Sequence, residues 1–179
     1  MMLPSLVPML RGYRKAVGAI GEMQLQPSDS PIRYRRRSQN GEYARFWTED
    51  GWPCQQPPWG TLNAVNLNTG EIAWKVPLGV VDELVNKGLP PTGTPNIGGS
   101  IVTAGGLVFI AGSNDSRFRA FDARTGKELW VTKLDASGHA TPMTYLGKRS
   151  GKQYVVIAAG GGGQFSETVS DSLIAFTLP

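Results

Sequence analysis

Few side chains in this sequence are of types that do chemistry outright, and they are scattered. There is one histidine, His139, and one cysteine, Cys54. A lone imidazole with no serine or carboxylate in a recognisable motif is not a general base by pattern. A lone thiol beside Pro53 reads as an inert loop residue and permits no intrachain disulfide. Asp115 lies in Asn114-Asp115-Ser116, where a carboxylate can satisfy the amides of its own turn. The run 160–163 is four glycines. Only glycine lets a backbone pass very close to a ligand, so the run is either such a loop or a flexible link before a last strand. The sequence carries no Cys/His cluster for a transition metal, no phosphate loop and no c-type haem motif. No catalytic residue and no metal ligand is assigned within this chain.

Charge narrows the partners. The formal net charge is +4, and much of it comes from Arg33, Arg35, Arg36 and Arg37 beside Arg11, Arg14 and Lys15. The remainder is close to neutral, which argues against a nucleic-acid binder. The arginine run is either a solvated stretch or a contact for anionic lipid or an acidic partner. Residues 1–10 are apolar but interrupted by Pro4 and Pro8, with no basic segment before them, so neither an export signal nor a membrane span is evident.

The elements that must position these groups are strands. Gly 23, Pro 13 and only 18% charged residues accompany short Val, Ile, Thr and aromatic runs divided by glycine turns, an all-β profile. Residues 1–45 lack alternation and form an irregular or linker segment, in which a short helix over 12–25 is weakened by Gly18 and Gly21. Residues 46–179 form the second region. Within it the frame Ala64-Val65-Asn66-Leu67-Asn68-Thr69-Gly70-Glu71-Ile72-Ala73-Trp74 recurs as Ala120-Phe121-Asp122-Ala123-Arg124-Thr125-Gly126-Lys127-Glu128-Leu129-Trp130. Each copy is a β-hairpin: Asn or Asp accepts turn amides, Gly supplies the positive φ, and the second strand delivers a Trp in fixed register. Such a Trp suits packing between neighbouring sheets, with its N–H on a carbonyl.

The pattern predicts strands over 61–66, 72–76, 101–104, 107–110, 118–121, 128–132, 140–145, 153–158 and 172–178, with Gly105-Gly106 as a two-residue hairpin turn. These amount to the outer pair of one four-stranded sheet, a complete sheet, and three strands of another. Propellers need about 4–8 such blades to close, so the expectation is a partial, all-β propeller.

The order of motifs resembles the C-terminal end of pyrroloquinoline quinone (PQQ)-dependent dehydrogenases, the membrane-bound glucose dehydrogenase type above all. The resemblance rests on Pro57-Pro58-Trp59-Gly60-Thr61-Leu62, the Thr-Gly-Trp hairpins, Gly93-Thr94-Pro95-Asn96-Ile97-Gly98-Gly99, Phe118-Arg119-Ala120-Phe121-Asp122, Gly138-His139-Ala140-Thr141-Pro142-Met143 and Gln153-Tyr154-Val155-Val156-Ile157. It covers roughly residues 42–179. It implies an eight-bladed ring on the periplasmic side of the inner membrane, with PQQ near the axis beside a Ca²⁺ or Mg²⁺ ion whose ligands are not in this chain. It also implies oxidation of a sugar or alcohol, with ubiquinone or a cytochrome as electron acceptor.

By the same resemblance Asp115, with Asn114, falls at a turn associated with the PQQ site, the alternative being the local turn role. Asn96 falls in a loop toward the cofactor face, the alternative being loop capping. Gly161, Gly162 and Gly163 correspond to a substrate loop that in the family carries a His where Gly162 stands, which puts sugar specificity in doubt. His139 stands where glucose-type relatives carry Gln, an interchange that points to hydrogen bonding rather than proton transfer. The expected function is thus that of the C-terminal portion of a quinoprotein dehydrogenase, inactive as an isolated chain and dependent on the remaining blades. A non-enzymatic scaffold propeller is the other reading, opposed by the long Pro/Gly-rich link over 79–100.

Overall fold

In the computed structural model, residues 52–162 and 168–178 are described. The chain divides into two compact units, Met1–Gln56 and Pro57–Pro179, and all the strands named below belong to the second. The arginine cluster, the stretch 12–25 and the 45/46 boundary lie outside the described residues.

Among the described residues nine strands form three antiparallel sheets in chain order. β1 (Thr61–Val65) pairs with β2 (Ile72–Pro77); β3 (Ser100–Val102), β4 (Leu107–Ile110), β5 (Arg117–Asp122) and β6 (Glu128–Lys133) form a four-stranded meander; β7 (Met143–Leu146), β8 (Gln153–Gly161) and β9 (Val169–Thr177) form a third sheet. All nine expected strands are present. β7 begins three residues later than the pattern suggested, beyond Pro142, which has no N–H to give a ladder. β8 runs on through Ala158-Ala159-Gly160-Gly161, and its pairing with β9 continues to Gly161↔Val169 across an irregularity. Small residues with little intrinsic strand preference hid that extension.

The two copies of the repeated frame fold alike. The Asn66 amide donates to the Glu71 carbonyl at 2.8 Å and the Asp122 amide to the Lys127 carbonyl at 2.9 Å, closing matching hairpins, while Gly70 and Gly126 adopt φ of 76° and 71°. Asp122 Oδ1 accepts from the Arg124 amide, the Thr125 amide and the Thr125 hydroxyl, and these bonds hold its carboxyl below the ordinary carboxylate value. The turn between β3 and β4 differs from expectation. Thr103 and Leu107 close it, and Gly106 at φ 80° donates to Thr103, so three residues rather than two span the hairpin.

Sheet packing follows from alternation. Val108, Ile110 and Phe121 face the first sheet and bury with Leu78, against Leu62 and Val76. Phe118, with Phe109, faces the third sheet and buries with Val155, Ile157, Ile174 and Phe176. The first junction carries a specific lock. The Trp74 indole N–H donates to the Ala123 carbonyl at 3.0 Å, and its ring lies so close to Gly126 that a Cβ there would sit 2.6 Å from it. At the second junction Trp130 packs edge-on against Phe118 and Phe176, with ring centroids 5.9 and 5.2 Å away.

The link over 79–100, read from sequence as Pro/Gly-rich loop, contains one short helix, α1 (Asp82–Asn86). Asp82 and Glu83 favour its N-terminal turn. Gly88 at φ 82° ends it: the Leu89 amide returns to the Leu84 carbonyl and the Gly88 amide to Val85, a Schellman closure.

Candidate functional site

Strand order decides which loops meet. In the meander the turns 66–71, 103–107, 122–127 and 147–152 lie at one end of the sheets. The links 78–99 and 134–142, the turn 111–116 and the end of β8 at Gly161 must then lie at the other. Asn96, Asn114, Asp115, His139, Gly161 and Gly162 all belong to this second end.

Hydrogen bonds join these loops into one band. Asn96 bridges Ser113, the Ile97 amide donates to the Gly112 carbonyl at 2.8 Å, and the Gly161 amide donates to the Ser137 carbonyl at 2.9 Å. The Asn114 amide donates to Thr94 Oγ1 at 3.1 Å, and the Ser116 and Ser137 hydroxyls lie 3.4 Å apart. Close approach requires glycine along the band. A Cβ on Gly98 would meet the His139 carbonyl oxygen at 3.1 Å, and one on Gly161 would meet the Thr168 carbonyl oxygen at 2.0 Å.

Asp115 sits at the centre of a buried ion-pair network. Its Oδ1 accepts from the Ser113 hydroxyl at 2.7 Å, the Arg117 amide at 3.2 Å and Arg119 Nη1 at 3.1 Å. Its Oδ2 accepts from the Val80 amide at 2.9 Å and from Arg119 Nη2. The Asp115 and Arg119 side chains are 2% and 3% exposed. Burial alone would raise the Asp115 carboxyl, but the Arg119 guanidinium, the Ser113 hydroxyl and the Val80 amide outweigh it and bring the pKa below the usual value. The network reaches outward through Arg119 to Glu128 at 3.0 Å and through Arg117 to Asp82 of α1 at 2.7 Å. Each of these Asp115 contacts is to a protein donor, which is the geometry of a carboxylate holding its turn and the 79–100 link together.

Asn114 is different. Its Oδ1 is buried and without a hydrogen-bond partner, a costly state for a polar atom. Asn96 is exposed, and its amide makes only a long 3.4 Å bond to the Thr94 carbonyl. Gly161 and Gly162 have φ of 61° and 70°, and the Gly162 amide donates to the Thr168 carbonyl at 2.9 Å. A histidine at Gly162 would therefore be strained as well as absent. Gly163 lies outside the described residues. His139 joins the band through Nδ1, 3.1 Å from the Ile97 carbonyl oxygen.

Sequence reading overlooked Arg119, although a charge between Phe118 and Ala120 in a core strand, four residues from an aspartate, signals a buried pair. Thr94 and Ser137, whose roles are purely tertiary, left no such signal. No group of three or more His, Cys, Asp or Glu that could hold a metal occurs among the described residues. No helix among them is long and apolar enough to cross a membrane.

A three-sheet array with a recurring hairpin frame, Trp locks between sheets and polar loops gathered at one end is a β-propeller segment. Residues 3–155 match the PQQ family described as glucose/ethanol/alcohol dehydrogenase, beta-propeller domain. The chain belongs to this family of PQQ-dependent dehydrogenases. It is 49% identical over 140 residues to a probable quinate dehydrogenase (quinone) of Xanthomonas campestris pv. juglandis, covering 75% of this chain and 18% of that protein. It is 45% identical over 142 residues to quinoprotein glucose dehydrogenase A of Acinetobacter calcoaceticus, covering 77% and 18%. Among solved structures it is similar to the quinohemoprotein alcohol dehydrogenase of Comamonas testosteroni, with a TM-score of 0.50 at 27% identity over 65% of this chain and 16% of that one. The chain thus spans less than a fifth of the length of these relatives.

Proposed function

We propose that this chain is part of a PQQ-dependent dehydrogenase that oxidises a sugar or alcohol, and that the band of loops from Asn96 to Gly162 forms one wall of its cofactor site. The observation that carries the reading is the gathering of Asn96, Asn114, Gly161 and Gly162 at one end of the sheets, with the Asn114 amide oxygen buried and unpartnered there.

These residues fit an edge of a flat, polar cofactor. Asn114 and Asn96 would hold it through their side-chain amides, and the glycines keep the backbone low enough to approach it. When bound, PQQ supplies a quinone that takes a hydride from the alcohol carbon. The chain's own contribution is positional: Asp115, locked by Arg119 and Ser113, fixes the turn on which Asn114 sits. Among the described residues no group of three or more His, Cys, Asp or Glu could hold a metal ion, so the Ca²⁺ or Mg²⁺ ion of this reading would take its ligands from outside them. The same reading places the enzyme on the periplasmic side of the inner membrane, passing electrons to ubiquinone or a cytochrome, with the isolated chain inactive.

The test is PQQ with Ca²⁺ added to the purified chain and to the full-length enzyme, followed by oxidation of glucose and simple alcohols with an artificial electron acceptor. Turnover is expected only from the full-length enzyme, and Asn114→Ala there should weaken PQQ binding by about tenfold, the worth of one buried hydrogen bond. A full-length protein that binds no PQQ overturns the assignment in favour of a scaffold role.

A further inference from the structure

We infer that His139 is a substrate-contacting residue whose Nε2 accepts a hydrogen bond from a hydroxyl of a polyol substrate. The inference rests on the cofactor-wall reading and goes beyond it in naming the group recognised.

The tautomer is set by the contact at Nδ1. A carbonyl oxygen can only accept, so the nitrogen 3.1 Å from the Ile97 carbonyl carries the proton. In the neutral ring the lone pair then resides on Nε2, which has no partner among the described residues and is not buried. His139 thus presents a fixed acceptor beside the band that holds Asn96 and Asn114. Its backbone is closely packed: an added Cβ on Gly138 would sit 2.7 Å from Ala111 Cβ and 3.0 Å from Ile157 Cγ1, and one on Gly98 would sit 3.1 Å from the His139 carbonyl oxygen.

The chemistry of the acceptor selects the ligand. The Nε2 lone pair calls for a hydrogen-bond donor, and at the cofactor wall of an alcohol-oxidising enzyme the donor that approaches is a substrate O–H. A metal ion would need further ligands, and no His, Cys, Asp or Glu cluster includes His139 among the described residues. An anion would need donors rather than an acceptor. A substrate with more than one hydroxyl can spend one on the reacting carbon and one on Nε2, so His139 discriminates polyols from simple alcohols.

The experiment uses the PQQ-loaded full-length enzyme with His139→Phe and His139→Gln, assayed on D-glucose, its monodeoxy analogues and ethanol. His139→Phe is expected to raise KM for the polyol about tenfold with kcat changed by less than about threefold, and to leave KM for ethanol unchanged. One monodeoxy analogue should be as poor a substrate for the parent enzyme as glucose is for His139→Phe, and should be indifferent to that substitution. His139→Gln, which keeps an acceptor, should restore most of the loss. PQQ affinity, followed by quenching of tryptophan fluorescence, should be the same in all three proteins. Equal KM values in His139→Phe and the parent overturn the proposal, and so does weakened PQQ binding in His139→Phe. If the parent protein itself binds no PQQ, the cofactor-wall reading fails first and takes this one with it.

Discussion

Asp115 shows how a single carboxylate can be both buried and charged. Its partners lower its pKa, so the native state binds fewer protons than the unfolded chain in the acid range. The stabilisation is fully present above the ordinary carboxylate value near 3.8 and is lost as pH falls through the depressed native value. Acid denaturation of this unit should therefore steepen below about pH 4. Asp115→Asn should flatten that limb and cost about 3 kcal/mol at neutral pH, because Arg119 would remain buried with only the half-exposed Glu128 as counter-charge. Urea melts of the full-length protein at pH 7 and at steps from about pH 4 down to about pH 2.5 check both, and an unchanged midpoint at pH 7 would refute the network's role. The glycines of the two hairpins offer a paired comparison. Both have positive φ, but a Cβ at Gly70 meets nothing within 4 Å whereas one at Gly126 meets the Trp74 ring. Gly70→Ala should cost about 1 kcal/mol for backbone strain, and Gly126→Ala about 2 kcal/mol or more because the ring must also move. Equal losses in denaturant melts would show that the ring gives way freely.

At the scale of elements, the repeated hairpin is a joint as much as a turn. Trp74 leaves the first sheet and ends on the Ala123 carbonyl and Gly126 of the next sheet's hairpin, so turn chemistry sets how these two sheets stack. Trp74→Phe keeps most of the apolar area but leaves the Ala123 carbonyl without its donor. It should destabilise by about 1 to 2 kcal/mol, with the loss read from the first junction by hydrogen exchange of the β1 and β2 amides. Protection lost equally from β8 and β9 would mean that the joint is not local. The frame was legible because Asn or Asp, Thr, Gly and Trp each have a positional reason. Helix α1 was not legible. Its five residues are too few for a periodic signal, and it is held by the Asp82–Arg117 ion pair and a Schellman closure, the first of which is tertiary.

At the scale of the whole unit, three sheets make an arc whose two outer faces have no neighbour among the described residues. Val65 and Ile72 on the first sheet and Met143, Tyr145, Val169 and Leu173 on the third remain exposed, Leu173 at 73%. Trp130 is 38% exposed, and an open apolar groove of about 1290 Å³ runs beside it, lined by Leu129, Phe109, Phe176 and Leu178. Such faces and unpaired strand edges drive association. The purified chain is expected to elute from size exclusion ahead of the monomer position and to melt without a sharp transition; a cooperative monomer would contradict this.

Alternation and turn residues are written into each segment, so strand order, the hairpin frame and the propeller class were readable from residues in sequence. The site was readable only as separate candidates. What brought Asn96, Asn114, His139 and Gly161 to one end is the antiparallel threading of the sheets, and what divided their roles is who occupies each polar atom. Asp115 is saturated by Arg119, Ser113 and Val80, and Asn114 Oδ1 is left unpartnered. Hydrogen-bond satisfaction depends on neighbours up to 49 residues away in the chain, and no local pattern encodes it. Tertiary structure alone made that decision.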